Sequence, residues 1–139
     1  MKTKELAGLA LSLSFVLFAA SCGPKISDEV MKKSVPELIA DTKSEEGTIR
    51  AQAALVLGMK KESAKEAIPA LVSLFTDSKP YVQNRAMNAL AEIGKPAVPA
   101  LIEALESSNK AVRFYATQTL GKINTPQAQK AYQEAAKKL

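Results

Sequence analysis

Residues 67–74 read Ala-Ile-Pro-Ala-Leu-Val-Ser-Leu, and residues 97–104 read Ala-Val-Pro-Ala-Leu-Ile-Glu-Ala. The same apolar sentence thus recurs 30 positions on. A fixed internal period of this size marks a stack of supersecondary units, each burying its apolar face only against its neighbours. The register extends well beyond the octets. Ile49, Ala53, Val56 and Leu57 have counterparts in Val82, Ala86, Ala89 and Leu90, and again in Val112, Ala116, Thr119 and Leu120, at steps of 33 and 30 residues. Pro36, Pro69 and Pro99 advance by the same 33 and 30, each followed at equal distance by Leu38-Ile39, Leu71-Val72 or Leu101-Ile102.

Each repeated position has a physical reason. Ile49, Ala53, Val56 and Leu57 fall at i, i+4, i+7 and i+8, one face of a helix. The small second residue lets neighbouring helices approach. Each proline suits the first turn of the following helix, where its missing N–H costs nothing. Gly58, Gly94 and Gly121 are read as helix ends, since glycine tolerates the left-handed backbone there. Thr125-Pro126 reads as an N-cap followed by proline at the first helical position. The expected helices are Ser27–Ser34, Val35–Lys43, Thr48–Met59, Ala64–Phe75, Pro80–Ile93, Pro96–Leu105, Asn109–Ile123 and Pro126–Lys138. No stretch alternates with period two, so the reading is all-α, without a sheet.

Val112-Arg113 through Gly121, and Ala97 to Leu105, resemble the two halves of the HEAT-like repeat of the phycobilisome-lyase type. The resemblance covers about residues 34–139. It implies a short right-handed α-solenoid of antiparallel helix pairs, about three and a half repeats long, ending in the capping helix after Pro126 with Ala128, Ala131, Tyr132 and Ala135 as its stripe. In that family an Arg at the second helix position and an Asp in the turn form a ladder between repeats. Here Gln83 replaces the Arg and Ser107 replaces the acid that Asp77 supplies, so an incomplete ladder is expected.

The N-terminus carries an address. Lys2 and Lys4 precede an apolar run, Leu6–Phe18, and the small residues Ala19-Ala20-Ser21 lead to Cys22. A basic start, a short apolar run and small residues at its end make a secretory signal; a membrane span needs roughly 20 apolar residues. Cys22 is the one cysteine, so no intrachain disulfide can form. Its surroundings resemble a bacterial lipobox, which implies cleavage before Cys22 and acylation of that residue. The expected organisation is a cleaved lipoprotein signal (1–21), acylated Cys22 with a short tether (22–27), and a repeat domain (28–139). The expected location is extracytoplasmic, lipid-anchored at the inner or outer membrane of a bacterial envelope. Loss of Lys2, Lys4 and Glu5 takes the net charge from +5 to +4. The remaining lysines are scattered, as on a solvated surface.

The chain has no histidine. That removes the commonest general base and metal ligand, and every Ser-His-Asp or Cys-His arrangement. One Cys without His cannot close a structural zinc site. No Gly-rich phosphate loop is present. Glu45-Glu46 read as a solvated turn; Glu103 and Glu106, three apart on one helix, are expected on an exposed face without the cleft that catalysis needs. No catalytic residue, cofactor or metal ion is expected.

What remains is a surface. The second helices should line the concave face with Glu37, Ala40 and Asp41, then Ala70, Ser73 and Asp77, then Ala100, Glu103 and Ser107. This strip is small, polar and mildly acidic, suited to a basic or extended protein segment. Phe114, about 200° around the helix from Val112, should point outward, whereas Tyr115 flanks the buried stripe. The functional expectation is a non-catalytic scaffold or adaptor tethered at the envelope. Its rivals are an accessory or chaperone subunit of a lyase-like or envelope assembly complex, an anionic-surface or nucleic-acid binder, and a plain spacer. Export and the acidic strip argue against nucleic acid.

Overall fold

A computed structural model describes residues 26–138. Among them the regular structure is helical, with no strand. Helix α1 spans Asp28–Lys32 and α2 Val35–Asp41. α3 spans Gly47–Met59, and a 3-10 segment, Lys61–Ala67, leads into α4, Ile68–Ser73. α5 spans Pro80–Ile93 and α6 Val98–Ala104. α7, Lys110–Lys122, and α8, Pro126–Ala136, complete the order. The long helices α3, α5 and α7 form one layer and the short α2, α4 and α6 the other, with α8 packed on α7 and α6.

Local chemistry accounts for most boundaries. Pro36, Pro69, Pro99 and Pro126 all stand in a first turn, where no amide hydrogen bond is lost. Ser27, Asn109 and Thr125 accept backbone amides at their helix starts. Glu37 reaches back over the start of α2: the Ser34 amide donates to its carboxylate at 2.7 Å and the Ser34 hydroxyl at 2.6 Å. Gly94 ends α5 at φ 76°, a conformation that would strain any other residue.

The other two glycines behave differently from the expectation. Gly58 and Gly121 are the penultimate residues of α3 and α7 and keep helical backbone instead of the left-handed conformation that Gly94 adopts. A Cβ on Gly58 would stand 2.8 Å from the Ala89 Cα of α5; one on Gly121 would stand 3.0 Å from the Tyr132 ring of α8. Close helix crossing, not termination, is their reason. The positive φ after α3 falls on Lys61 (51°) instead. The expected helix over 64–75 also divides, because its ends tighten into 3-10 turns at Lys61–Ala67 and Leu74–Thr76.

One apolar core runs the length of the stack, from Leu38 through Leu57, Leu71, Leu90 and Leu101 to Leu120 and Ala128. Burying each of these leucines stabilises the fold by about 2 kcal/mol. Alanines at Ala53, Ala86 and Ala116 are fully buried and set the close spacing of the long helices. The repeated sequence therefore builds a layer of tightly crossed helices on one side and a layer of shorter, more widely separated helices on the other. No helix of the described residues is long and apolar enough to cross a membrane.

Candidate functional site: the grooves of the short-helix layer

The turns before α3, α5, α7 and α8 are each fastened by one side chain of the helix that follows. Arg50 NH1 donates to the carbonyls of Ser44 (2.8 Å) and Glu45 (2.9 Å). Arg113 NH1 donates to those of Ser107 (2.7 Å) and Ser108 (3.0 Å). Gln83 Nε2 donates to Asp77 (2.8 Å) and Phe75 (3.3 Å), and Gln129 Nε2 to Ile123 (2.9 Å) and Gly121 (3.4 Å). Turn carbonyls left without helical partners are thereby satisfied. Gln83 thus fills its position in a way the sequence reading missed: its primary amide reaches the carbonyl six residues back, as the guanidiniums do, but takes the one eight back instead of five, and its Oε1 accepts from the Tyr115 hydroxyl at 2.8 Å.

The ladder is incomplete, as expected. Arg50 Nε and NH2 donate to both oxygens of Asp77, at 2.6 and 2.9 Å, a two-bond fork with strict geometry. Those bonds hold the Asp77 carboxyl below its ordinary value of 3.8, burial opposes, and the Lys79 amide adds to the lowering. The only other ion pair among the described residues joins Lys33 to Asp41 at 2.7 Å, on the surface. Hydrogen bonds from Ser34 likewise hold Glu37 below the usual carboxylate range.

Two grooves open between the short helices. One, of about 600 Å³, lies between α4 and α6 and is lined by Pro69, Val72, Ala100, Glu103, Glu106, Ser107 and Val112, among others. The second, of about 480 Å³, lies between α6, α7 and α8, with Ile102, Leu105, Thr117, Ala131 and Ala135 as its body and Glu103, Glu106, Arg113, Glu134 and Lys138 as its polar groups. Glu103 and Glu106 border both. Apolar walls with a few placed charged side chains are the composition of a binding site.

Of the residues singled out from sequence, Glu103 and Ser107 meet at the first groove beside Ala100. Glu37, Ala40, Asp41, Ser73, Asp77 and Phe114 line neither groove. Asp77 is held by Arg50 and Asp41 by Lys33, while the exposed Ser73 hydroxyl donates to the Pro69 carbonyl at 3.0 Å. Phe114 points outward, 47% exposed, its ring edge-on to Tyr115. Tyr115 stacks on buried Phe75 at 5.5 Å. Glu106, Arg113 and Glu134 are additional groove residues; the i, i+3 relation of Glu103 to Glu106 was a visible sign, the others were not. Cys22 lies outside the described residues. Among those residues no group of Asp and Glu is placed to hold a metal ion.

Stacked antiparallel helix pairs with one continuous core and a recurring turn fastening define an α-solenoid repeat protein. The family description "HEAT repeats" matches residues 35–105 and again 76–138, so the matches together span most of the chain. The chain belongs to the HEAT-repeat family, whose members generally mediate protein–protein interaction and typically serve as non-catalytic scaffolds. It is similar to a crystal structure of an engineered protein from the Northeast Structural Genomics Consortium, with 26% identity and a TM-score of 0.52. That similarity covers 75% of this chain and 51% of the engineered one, so the chain spans about half its length. No curated protein matches the sequence.

Proposed function

We propose that the chain is a non-catalytic adaptor, built from HEAT-like repeats of the phycobilisome-lyase type and tethered by lipid on Cys22 to a bacterial envelope membrane. Removal of residues 1–21 leaves the repeat domain a few residues from the lipid, on the tether 22–27. Two acyl chains suffice for stable anchoring, where one is marginal. On this reading its partner is a protein, engaged through a basic or extended segment. The observation that carries the reading is the pair of grooves flanking Glu103 and Glu106 between α4, α6 and α8.

Crosslinking of the membrane-bound protein, read by mass spectrometry, tests it. Crosslinks to one protein should concentrate on α4, α6 and α8 and fall on Glu103→Lys. Crosslinks confined to the outer faces of α3 and α5, or none above background, would overturn it. Acyl labelling tests the anchor separately: label on the wild type should vanish in Cys22→Ala, and label kept by that variant would refute lipidation.

A further inference from the structure

Arg50 and Arg113, at matching positions of α3 and α7, begin alike and end differently. Both spend NH1 on two carbonyls of the preceding turn. Arg50 then closes Nε and NH2 on Asp77, 27 residues on, at the far end of its own helix pair. Arg113 Nε and NH2 have no hydrogen-bond partner and no carboxylate within ion-pair distance among the described residues, and its side chain lines the groove between α6, α7 and α8. The NH1 bonds restrain the guanidinium and leave Nε and NH2 as an unengaged two-donor fork on a side chain that lines the groove. Pre-set geometry of this kind reduces the ordering needed on binding.

We propose that Arg113 is a carboxylate-binding site: it takes an Asp or Glu side chain of a docked protein segment, which stands on Arg113 as Asp77 stands on Arg50. This rests on the adaptor reading and names the chemistry of the partner at one point. The groove supplies the remainder of the specificity. Glu103, Glu106 and Glu134 share it with Arg113 and Lys138, so it carries both signs of charge over an apolar body. A segment bearing one acid flanked by lysines on an apolar backbone is complementary; a purely acidic segment meets three carboxylates, and a purely basic one leaves the fork empty.

The chain has three arginines, Arg50, Arg85 and Arg113, so its Nε–H resonances in 15N-labelled full chain in detergent micelles are few and assignable by single Arg→Lys variants. The probes are two capped nonapeptides of Leu and Lys, one with a central Asp and one with Asn there. The Asp peptide should shift the Arg113 Nε–H and saturate it at a concentration at least about tenfold lower than the Asn peptide, as a charge-assisted double hydrogen bond provides. The Arg50 signal, already paired, should stay in place. Arg113→Lys keeps the charge and loses the fork, so the preference for Asp should shrink. Equal response to both peptides, no response to either, or an Arg113 signal already carboxylate-paired in the free chain would each overturn the proposal. Should the variant fail to fold, the wild-type comparison of the two peptides still decides. An empty result from membrane crosslinking would remove the adaptor reading and leave this measurement standing, so the two failures are distinct.

Discussion

Gly58→Ala isolates how tightly the long helices are pressed together. Alanine in place of glycine is worth up to about 1 kcal/mol of intrinsic helix preference, less in the last turn where Gly58 sits, so an open site would be stabilised. Here the new Cβ would meet the Ala89 Cα at 2.8 Å and the Ala89 Cβ at 3.1 Å. Unstrained carbon contacts lie at roughly 3.5–4.0 Å, so α3 and α5 must part by about 0.7 Å or more. Both atoms are fixed by helix backbone, and no rotamer relieves the overlap. Overpacking of this kind costs about 1–3 kcal/mol, and a backbone clash belongs at the upper end. The expected net loss is about 2 kcal/mol, or a fall in Tm of about 8 °C for a domain of this size. Gly47→Ala is the comparator: its Cβ would meet the Tyr81 hydroxyl at 2.5 Å and the Lys79 Cγ at 3.2 Å, both exposed side-chain atoms free to swing aside. That variant should lie within about 0.5 kcal/mol of the wild type. Urea or thermal unfolding followed by circular dichroism reads both. A Gly58→Ala protein as stable as the wild type or more so would refute the close crossing of α3 and α5.

Two further outcomes follow from the side-chain network. Asp77 has a lowered carboxyl pKa, so its ion pair with Arg50 contributes stability above the unfolded carboxylate value, about 3.9, and loses it as pH falls through the lower folded value. Asp77→Asn should therefore flatten the loss of Tm seen on acidification below about pH 4, with Glu37 supplying the residual slope; an unchanged pH profile would refute the pairing. Tyr115→Phe removes the donor to Gln83 while keeping the stack on Phe75, and should lower stability by about 1 kcal/mol, whereas Phe114→Ala, on an exposed ring, should change it less than that.

Periodicity revealed what was repeated, and chemistry between repeats stayed hidden. The three spaced prolines fixed the starts of α2, α4 and α6, because proline's missing amide is tolerated in a first turn and resisted farther in. The buried stripe from Ala53 to Leu120 was readable for the same reason: one face of a helix is a pattern along the chain. Gly58 was misread because a glycine near a helix end and a glycine under a crossing helix look identical in sequence; only the position of Ala89 separates them. Gln83 was read as a gap in the ladder, since the carbonyls it reaches carry no residue identity. The outward face of Phe114 followed from helical angle alone. At the groove, Glu103 and Ser107 were legible as residues between core positions, but Arg113 and Glu134 approach it from α7 and α8, and no spacing within one helix encodes that meeting.

The turn fastenings have an evolutionary consequence. Each reaches back only five to eight residues, from Arg50, Gln83, Arg113 or Gln129 to its own preceding turn. A duplicated or transplanted segment that includes the turn and the first part of the long helix carries its fastening with it and needs no matching change elsewhere. Gln83, where the neighbouring units carry Arg50 and Arg113, still reaches the carbonyl six residues back, so the connector's identity matters less than its reach. Such a chain can lengthen or shorten by whole units without renegotiating its turns, which leaves side chains of the short helices free to diverge.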